Sequence, residues 1–504
     1  MATFTTWSDA IKATAAHLGS KINERAKRSS LPVNVRDFGA TGDGTTDDLA
    51  SVVAALAATP TGGTLYVPAG RYLLSDTLTV SRAVTIGGPG VLLGGKVDVP
   101  VVALPADGAA LEGVTIDGGA KARIGVLVTG AGCRVVGSQV GNVRSATQAA
   151  HGVSVVTSGG VTVRGNRIDL VESVGNTTAG DNNGASRGIY LWVATDATAP
   201  SVIADNIVTR VIGEEGDAIQ ITGASALAEV RGNHISGWSK RAVKVQASDV
   251  QVLDNVIPES SGAVAAGAVV DVLGPLSDVL VARNAIRSAG KMLVQVSAAT
   301  GVRVSDNRLV AGSLAAVAVV GAIDVTVDGN DIEKGSAAVA VTGGSAHVVV
   351  ARNVARGDAT GTNAFSSTAD CDDVAFLGNR GYGTGRTWLV SVASSNSAAI
   401  DNDAQFDNTN SGGVRLSTSG IGARARGNVS KYGSAVYSTD YTAQRVAVEP
   451  WSSADVPSVE QPTTRHNRGD IAFNRAPVAG GTAGWVCVAS GTPGTWKPFG
   501  VISA

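Results

Sequence analysis

VTVRGNRI, residues 161–168, sets a pattern of apolar–x–apolar–x–x–Asn–x–apolar, with Asn166 as its marker. The pattern returns as AEVRGNHI (228–235), VQVLDNVI (250–257), VLVARNAI (279–286), VRVSDNRL (302–309) and VTVDGNDI (325–332). It continues as VVVARNVA (348–355), VAFLGNRG (374–381) and ARARGNVS (423–430). Weaker copies place markers at Val114, Ser138, Asn206 and Asn402. From Asn284 through Asn307 and Asn330 to Asn353 the step is 23 residues each time. Thirteen markers at a base period near 23 are an internal repeat.

Each copy alternates apolar and polar residues, the signature of a strand with one buried face. Val dominates, and β-branched side chains suit a pleated surface. No helical stripe runs through 100–430, and no leucine-rich or ankyrin signature is present. Twenty-three residues make one coil of a parallel β-helix, two or three short strands joined by tight turns. The recurrent Asn has two physical uses. It tolerates left-handed backbone at a turn, and stacked Asn side chains hydrogen-bond from coil to coil. The expectation is an all-β chain of about 13 coils.

Composition agrees. The chain has 504 residues, 44% of them hydrophobic and 16% charged, with a net charge of −2. Such near-neutrality argues against a nucleic-acid partner or a polybasic membrane surface. No apolar run reaches the length of a membrane span, and the N-terminus lacks the basic and apolar segments of a secretory signal. Cys133, Cys371 and Cys487 are far apart and show no metal-ligand spacing. No metal or cofactor is expected.

The ends differ from the middle. Trp7, Ile11, Ala15, Leu18 and Ile22 form one helical stripe, closed by Ser29-Ser30-Leu31-Pro32. Residues 1–31 read as an N-terminal helical attachment segment, with a helix capping the coil end as the plainer alternative. Residues 32–430 read as the β-helix and 431–460 as a connector. Residues 461–504, with Trp485 and Trp496 and many Gly and Pro turns, read as a small β module that trimerises.

Val33-Asn34-Val35-Arg36-Asp37-Phe38-Gly39-Ala40, followed by Gly42-Asp43-Gly44-Thr45-Thr46-Asp47-Asp48, resembles the entry motif of pectate-lyase-like right-handed β-helix proteins. Gly63 to Tyr72 resembles that family's next segment. The ending, from Gly469-Asp470-Ile471 through Gly484-Trp485 to Gly491-Thr492-Pro493-Gly494-Thr495-Trp496, resembles the C-terminal module of phage tail spikes. The resemblance implies a right-handed β-helix in a homotrimer, carried on a virion tail and acting at the host cell surface on its polysaccharide. The N-terminal segment would then meet a tail or baseplate protein. Many members cleave the glycan, by hydrolysis or by lyase chemistry. The entry motif concerns fold, and its Asp43, Asp47 and Asp48 read as turn formers that cap a helix over 46–58.

Function has to come from the coils. Aligning the strand that precedes each marker puts Ser154, Tyr190, Gln220, Lys244, Asp271 and Gln295 in one outward column. Three residues earlier stand His151, Arg187, Asp217 and Arg241. The first column then falls to Ala318 and Ala340. The polar coils flank the longest insertion, the 40 residues from Asn166 to Asn206, which hold Glu172, Asp181, Asn182 and Asn183. Long loops on a rigid scaffold are common places for binding sites. Tyr190 and Trp192, with Trp238 as a further ring, offer flat surfaces for sugar. Gln220 and Gln295 offer planar amides, and Arg187, Arg241 and Lys244 offer cations for acidic sugar groups. The plainer reading is a solvated face with ion pairs between coils.

Glu214, Glu215 and Asp217 form the strongest acidic cluster, and glycoside hydrolysis needs one protonated and one ionised carboxyl. Asp271, two coils on, stands roughly 10 Å from Asp217 by coil spacing. That is near the inverting separation of about 6.5–9.5 Å. His151 is an alternative general base, and a lyase would instead use Lys244 or Arg241. The expected function is a tail spike that depolymerises host polysaccharide, with hydrolysis ahead of β-elimination. A non-enzymatic receptor-binding spike and a structural fibre are the alternatives.

Overall fold

A computed structural model describes residues 31–503, except 158, 175–183, 259–266, 358–362, 385, 408–411, 417–422, 432–435, 439–446, 449–450, 454, 461–465 and 467. The helical stripe at Trp7–Ile22 and the insertion residues Asp181, Asn182 and Asn183 lie outside the described residues. The chain divides into two compact units, Met1–Gly335 and Ser336–Ala504. Both are built from parallel coils of a right-handed β-solenoid, about 15 turns counted over the two.

Most coils of the first unit carry three short strands, the first two of which merge in Glu215–Arg231 and Arg241–Leu253. Around Asn166 they are Ala150–Val156, Thr162–Arg164 and, after the marker, Arg167–Ser173. The core is a stack of apolar columns. Val135, Val163, Ile203, Val230, Val252, Val281, Val304 and Val327 pair in register from coil to coil. All are almost wholly buried. Coils also precede the first marker: Val33, Leu65, Ile86 and Leu111 pair in the same ladder as Val135. The repeat pattern missed them because their turns lack Asn.

The marker Asn residues form a ladder. Asn284 donates its backbone N and its Nδ2 to Asn307 Oδ1, both at 2.9 Å, and its Nδ2 also reaches Val252 O at 2.9 Å. The same arrangement repeats at Asn166, Asn206, Asn233, Asn255 and Asn307. The left-handed residue is not the Asn but the one before it. Asp205, Asp254, Arg283 and Asp306 have φ of 56°, 55°, 56° and 57°. Gly232 and Gly329 take the same place in their coils, with φ of 63° and 66°. Turning at that residue points the next side chain inward, where the Asn amide satisfies backbone groups that no strand pairs.

The entry motif is structural. Asp43 Oδ1 accepts from Thr45 N and Thr46 N, and these bonds hold its carboxyl well below the usual range. Asp47 accepts from Leu49 N at the start of the helix Leu49–Ala58, three residues later than the sequence suggests. Asp48 turns away from the helix to Thr41 N and Gly42 N.

In the second unit Asn353, Asn379, Asn402 and Asn428 continue the same bonding among themselves. Phe365, Phe376 and Phe406 fill its core. Its last part is a small sheet, with Ile471–Asn474, Thr482–Ala489 and Thr495–Val501 antiparallel and Trp451–Ser453 parallel to the first. Ala472, Trp485, Cys487 and Trp496 form its own core.

Replacing Asn307 by Ala removes acceptors for Asn284 and a donor to Val281 O. We expect a loss of about 1–3 kcal/mol, read as a shifted urea midpoint. An unchanged midpoint would exclude the ladder as a stabilising element.

Candidate functional site

The six-coil column is in register. Ser154 pairs with Tyr190, Tyr190 with Gln220, Gln220 with Lys244, Lys244 with Asp271 and Asp271 with Gln295. Gln295 then pairs with Ala318, where the polar column stops. His151, Arg187, Asp217 and Arg241 pair in the second column. The strands are Ala150–Val156, Ala185–Val193, Glu215–Arg231, Arg241–Leu253, Val270–Leu273 and Val294–Ser297. Their alternate positions Val153, Ile189, Ile219, Val243, Val270 and Val294 have no exposed surface. That apolar anchorage fixes which side chains face outward, because slipping one residue would turn the whole column inward.

The two columns meet in one charge cluster. Arg241 Nε donates to Asp271 Oδ2 at 2.7 Å, and its Nη1 reaches Glu215 Oε2 at 3.1 Å and Asp217 Oδ1 at 3.4 Å. Lys240 Nζ donates to Glu215, and Lys244 Nζ lies 3.8 Å from Asp217 and 3.9 Å from Glu215. Arg187 donates to Gln220, whose Nε2 reaches Gln246 Oε1 at 3.1 Å. Asp217 and Asp271 are buried, although Asp271 stands at an outward position. Coils about 4.8 Å apart bring the long Arg and Lys stems of adjacent strands over a short Asp carboxylate.

What remains accessible is a subset. Trp192 is exposed, Tyr190, Lys244 and Gln295 are partly so, and the Glu215 side chain is 37% exposed. Tyr190 lies beside His151, ring centroids 4.8 Å apart, and near the Arg187 guanidinium, 5.1 Å from its ring. Glu214 is exposed at the turn before the strand. Two expected members lie elsewhere. Trp238 is buried beneath the Lys291 ammonium, so it offers no ring to a ligand. Glu172 belongs to the strand after Asn166 and pairs with Arg144 at 3.3 Å.

Three cluster members escaped the sequence reading. Gln246 lies two residues beyond Lys244 on the same face, and extending the period-2 register would have found it. Lys240 sits at the corner before its strand, where alternation does not hold. Lys291 reaches Gly267 O at 3.4 Å from another corner.

Burial dominates the electrostatics. It pushes the Asp217 carboxyl up, against the opposing pull of Lys244, Arg241 and Arg187. It pushes Lys244 down, with Asp217 opposing, and raises the Tyr190 phenol. His151 is driven well below the usual histidine value by burial, then by Arg187 and Arg123. It is therefore neutral, with Nδ1 at 3.1 Å from Ser154 Oγ. Lys240 falls to about 8, through burial first and then Arg241 and Lys244.

Residues 32–94 match the family model described as rhamnogalacturonase A/epimerase, pectate lyase-like, and residues 217–380 match the right handed beta helix region. The fold is a right-handed parallel β-helix. Mannuronan C5-epimerase AlgE3 of Azotobacter vinelandii is 43% identical over 70 residues, 12% of this chain and 4% of the epimerase's own length. Gene product 12 of bacteriophage phi29, in its pre-mature form, is 12% identical with a TM-score of 0.51, over 87% of this chain and 61% of that one. The Dettilon tailspike protein is 15% identical with a TM-score of 0.36, over 81% and 68%. At these identities the structural likeness is one of fold.

Lys240 gives the site a pH signature. With its folded value lowered from 10.5 to about 8, the folded chain holds fewer protons than the unfolded chain between those values. This group's contribution to stability therefore rises with pH across that window. Melting curves should show wild type gaining on Lys240→Gln as pH is raised from about 7 to about 10. A constant difference would mean that Lys240 titrates normally.

Proposed function

We propose that this protein is a phage tail spike that binds a host cell-surface polysaccharide along the Ser154–Gln295 column and cleaves it there. The observation that carries this reading is the polar column itself, held in register over six coils and ending at Ala318. Tyr190 and Trp192 offer rings to sugar faces, and Gln220 and Gln295 stand in the same column. Lys244, whose nearest carboxylates lie at 3.8 and 3.9 Å, faces an acidic sugar group. Arg187 and Arg241 reinforce the positive face from beneath, and His151 supports the Tyr190 ring.

For the chemistry we assign hydrolysis to Glu215 with Asp217. Glu215 is the accessible carboxyl, and the cations around it favour its ionised form as a base. Asp217, raised by burial, is the group suited to hold a proton. A sugar carboxylate that draws Lys244 outward would uncover it. Asp271 is the third carboxyl, joined through Arg241, and Glu214 lies at the rim. A second reading, β-elimination, has one observation in its favour. Lys240 at about 8 is a base available near neutral pH.

The sequence resemblance at both ends supports a virion location and a homotrimer. Residues 1–31 would meet a tail or baseplate protein, 32–430 form the β-helix, 431–460 connect, and 461–504 trimerise. The C-terminal sheet leaves Ile471, Phe473, Val488 and Val501 exposed, a face suited to a second and third copy.

Incubation with host capsular polysaccharide should release new reducing ends with no gain in unsaturated-uronate absorbance. A gain would replace hydrolysis by β-elimination, and intact polymer would leave a binding or structural spike. Glu215→Gln and Asp217→Asn should each lower turnover by about 10²–10⁴-fold while retaining binding. Tyr190→Ala should weaken binding more than turnover. Light scattering should give three chains per particle, and a stable monomer would exclude the trimer.

A further inference from the structure

We propose that Arg241 is a positioning residue, whose guanidinium sets the place and the ionisation of Glu215 rather than contacting the ligand. The inference rests on the polysaccharide reading only in taking Glu215 as the carboxyl that faces the glycan.

Three coils converge on this one side chain. Glu215 and Asp217 come from the strand Glu215–Arg231, Arg241 from the next coil, and Asp271 from the coil after. Arg241 Nη1 serves Glu215 and Asp217, while Nε serves Asp271. The side chain is 10% exposed and the Asp217 and Asp271 side chains 0% and 2%. Its planar fork is thus held from two sides by carboxylates that cannot turn away, a geometry that a flexible ammonium does not reproduce. Only Glu215 among the three carboxylates extends toward solvent, so fixing the guanidinium fixes Glu215. Nε and Nη1 are engaged by the protein's own carboxylates.

The groups facing Glu215 are Lys240, Arg241 and Lys244, with Glu214 adjacent in sequence and Asp217 on the same guanidinium. Removing one of three cations makes the ionised carboxylate less favourable. Lys240 and Lys244 remain in every variant below, so the change reports Arg241 alone.

The test needs no glycan. The full chain is labelled with a water-soluble carbodiimide and glycine ethyl ester, which modify protonated carboxyls, at a series of pH values. Peptide mass spectrometry then follows Glu215. At about pH 6, Arg241→Gln should show about tenfold more labelling of Glu215 than wild type. Labelling of Glu112, which pairs with Arg134 far from the cluster, should not change. Arg241→Lys, which keeps the charge and loses the fork, should fall between the two, at about two- to fourfold. If Arg241→Gln does not fold, Arg241→Lys decides alone. Wild-type labelling of Glu215 in whichever variant is folded overturns the proposal and returns Arg241 to a ligand-contacting role. Because the protein is free of ligand throughout, failure of the polysaccharide reading would show only in the polymer assay and would leave this result standing.

Discussion

Parallel coils must stack about 4.8 Å apart, and every turn between them carries backbone groups that no strand pairs. The Asn ladder answers that constraint. Each carboxamide accepts two donors from the coil before and gives its own protons to a backbone carbonyl and to the next Asn. A buried amide left unpaired would be costly, so the ladder holds only as a continuous series. From Asn166 onward the ladder and the apolar columns behind it share one register.

That register is also what makes a site out of distant residues. Arg187, Glu215, Arg241 and Asp271 belong to four different coils, and pairing brings them onto one face. The same stacking explains why charge is buried there. Adjacent coils are close enough for lysine and arginine stems to roof over a neighbouring aspartate, and the resulting desolvation pushes Asp217 up and Lys240 and Lys244 down. Charge clusters of this kind are weak contributors to stability. Their perturbed groups concentrate where chemistry or recognition is performed.

Tyr190, His151 and Arg187 show the same logic with aromatic rings. The phenol ring lies close to both an imidazole and a guanidinium. Trp192, two residues along the same strand, is exposed. The face therefore presents two rings in different surroundings.

The sequence by itself determined the repeat, the strand that precedes each marker and the outward column from Ser154 to Gln295. Period-2 alternation leaves no freedom once the apolar positions are assigned. It did not determine which residue bends. Asn307 carries the pattern, yet Asp306 takes the left-handed backbone, because the inward amide is what the turn requires. The Asn marker did not reach the coils before Val114, whose turns use other residues, although the entry-motif resemblance places that stretch in the β-helix from residue 32. Alternation did not find Lys240 at its corner, where it lapses. Only the tertiary structure decided exposure. Asp217 and Glu215 read alike as acidic residues two positions apart on one face, but Arg241 and Lys244 from the next coil cover the first and leave the second open. Covering depends on the length and direction of side chains one coil away, and a pattern read along a single strand contains no term for that.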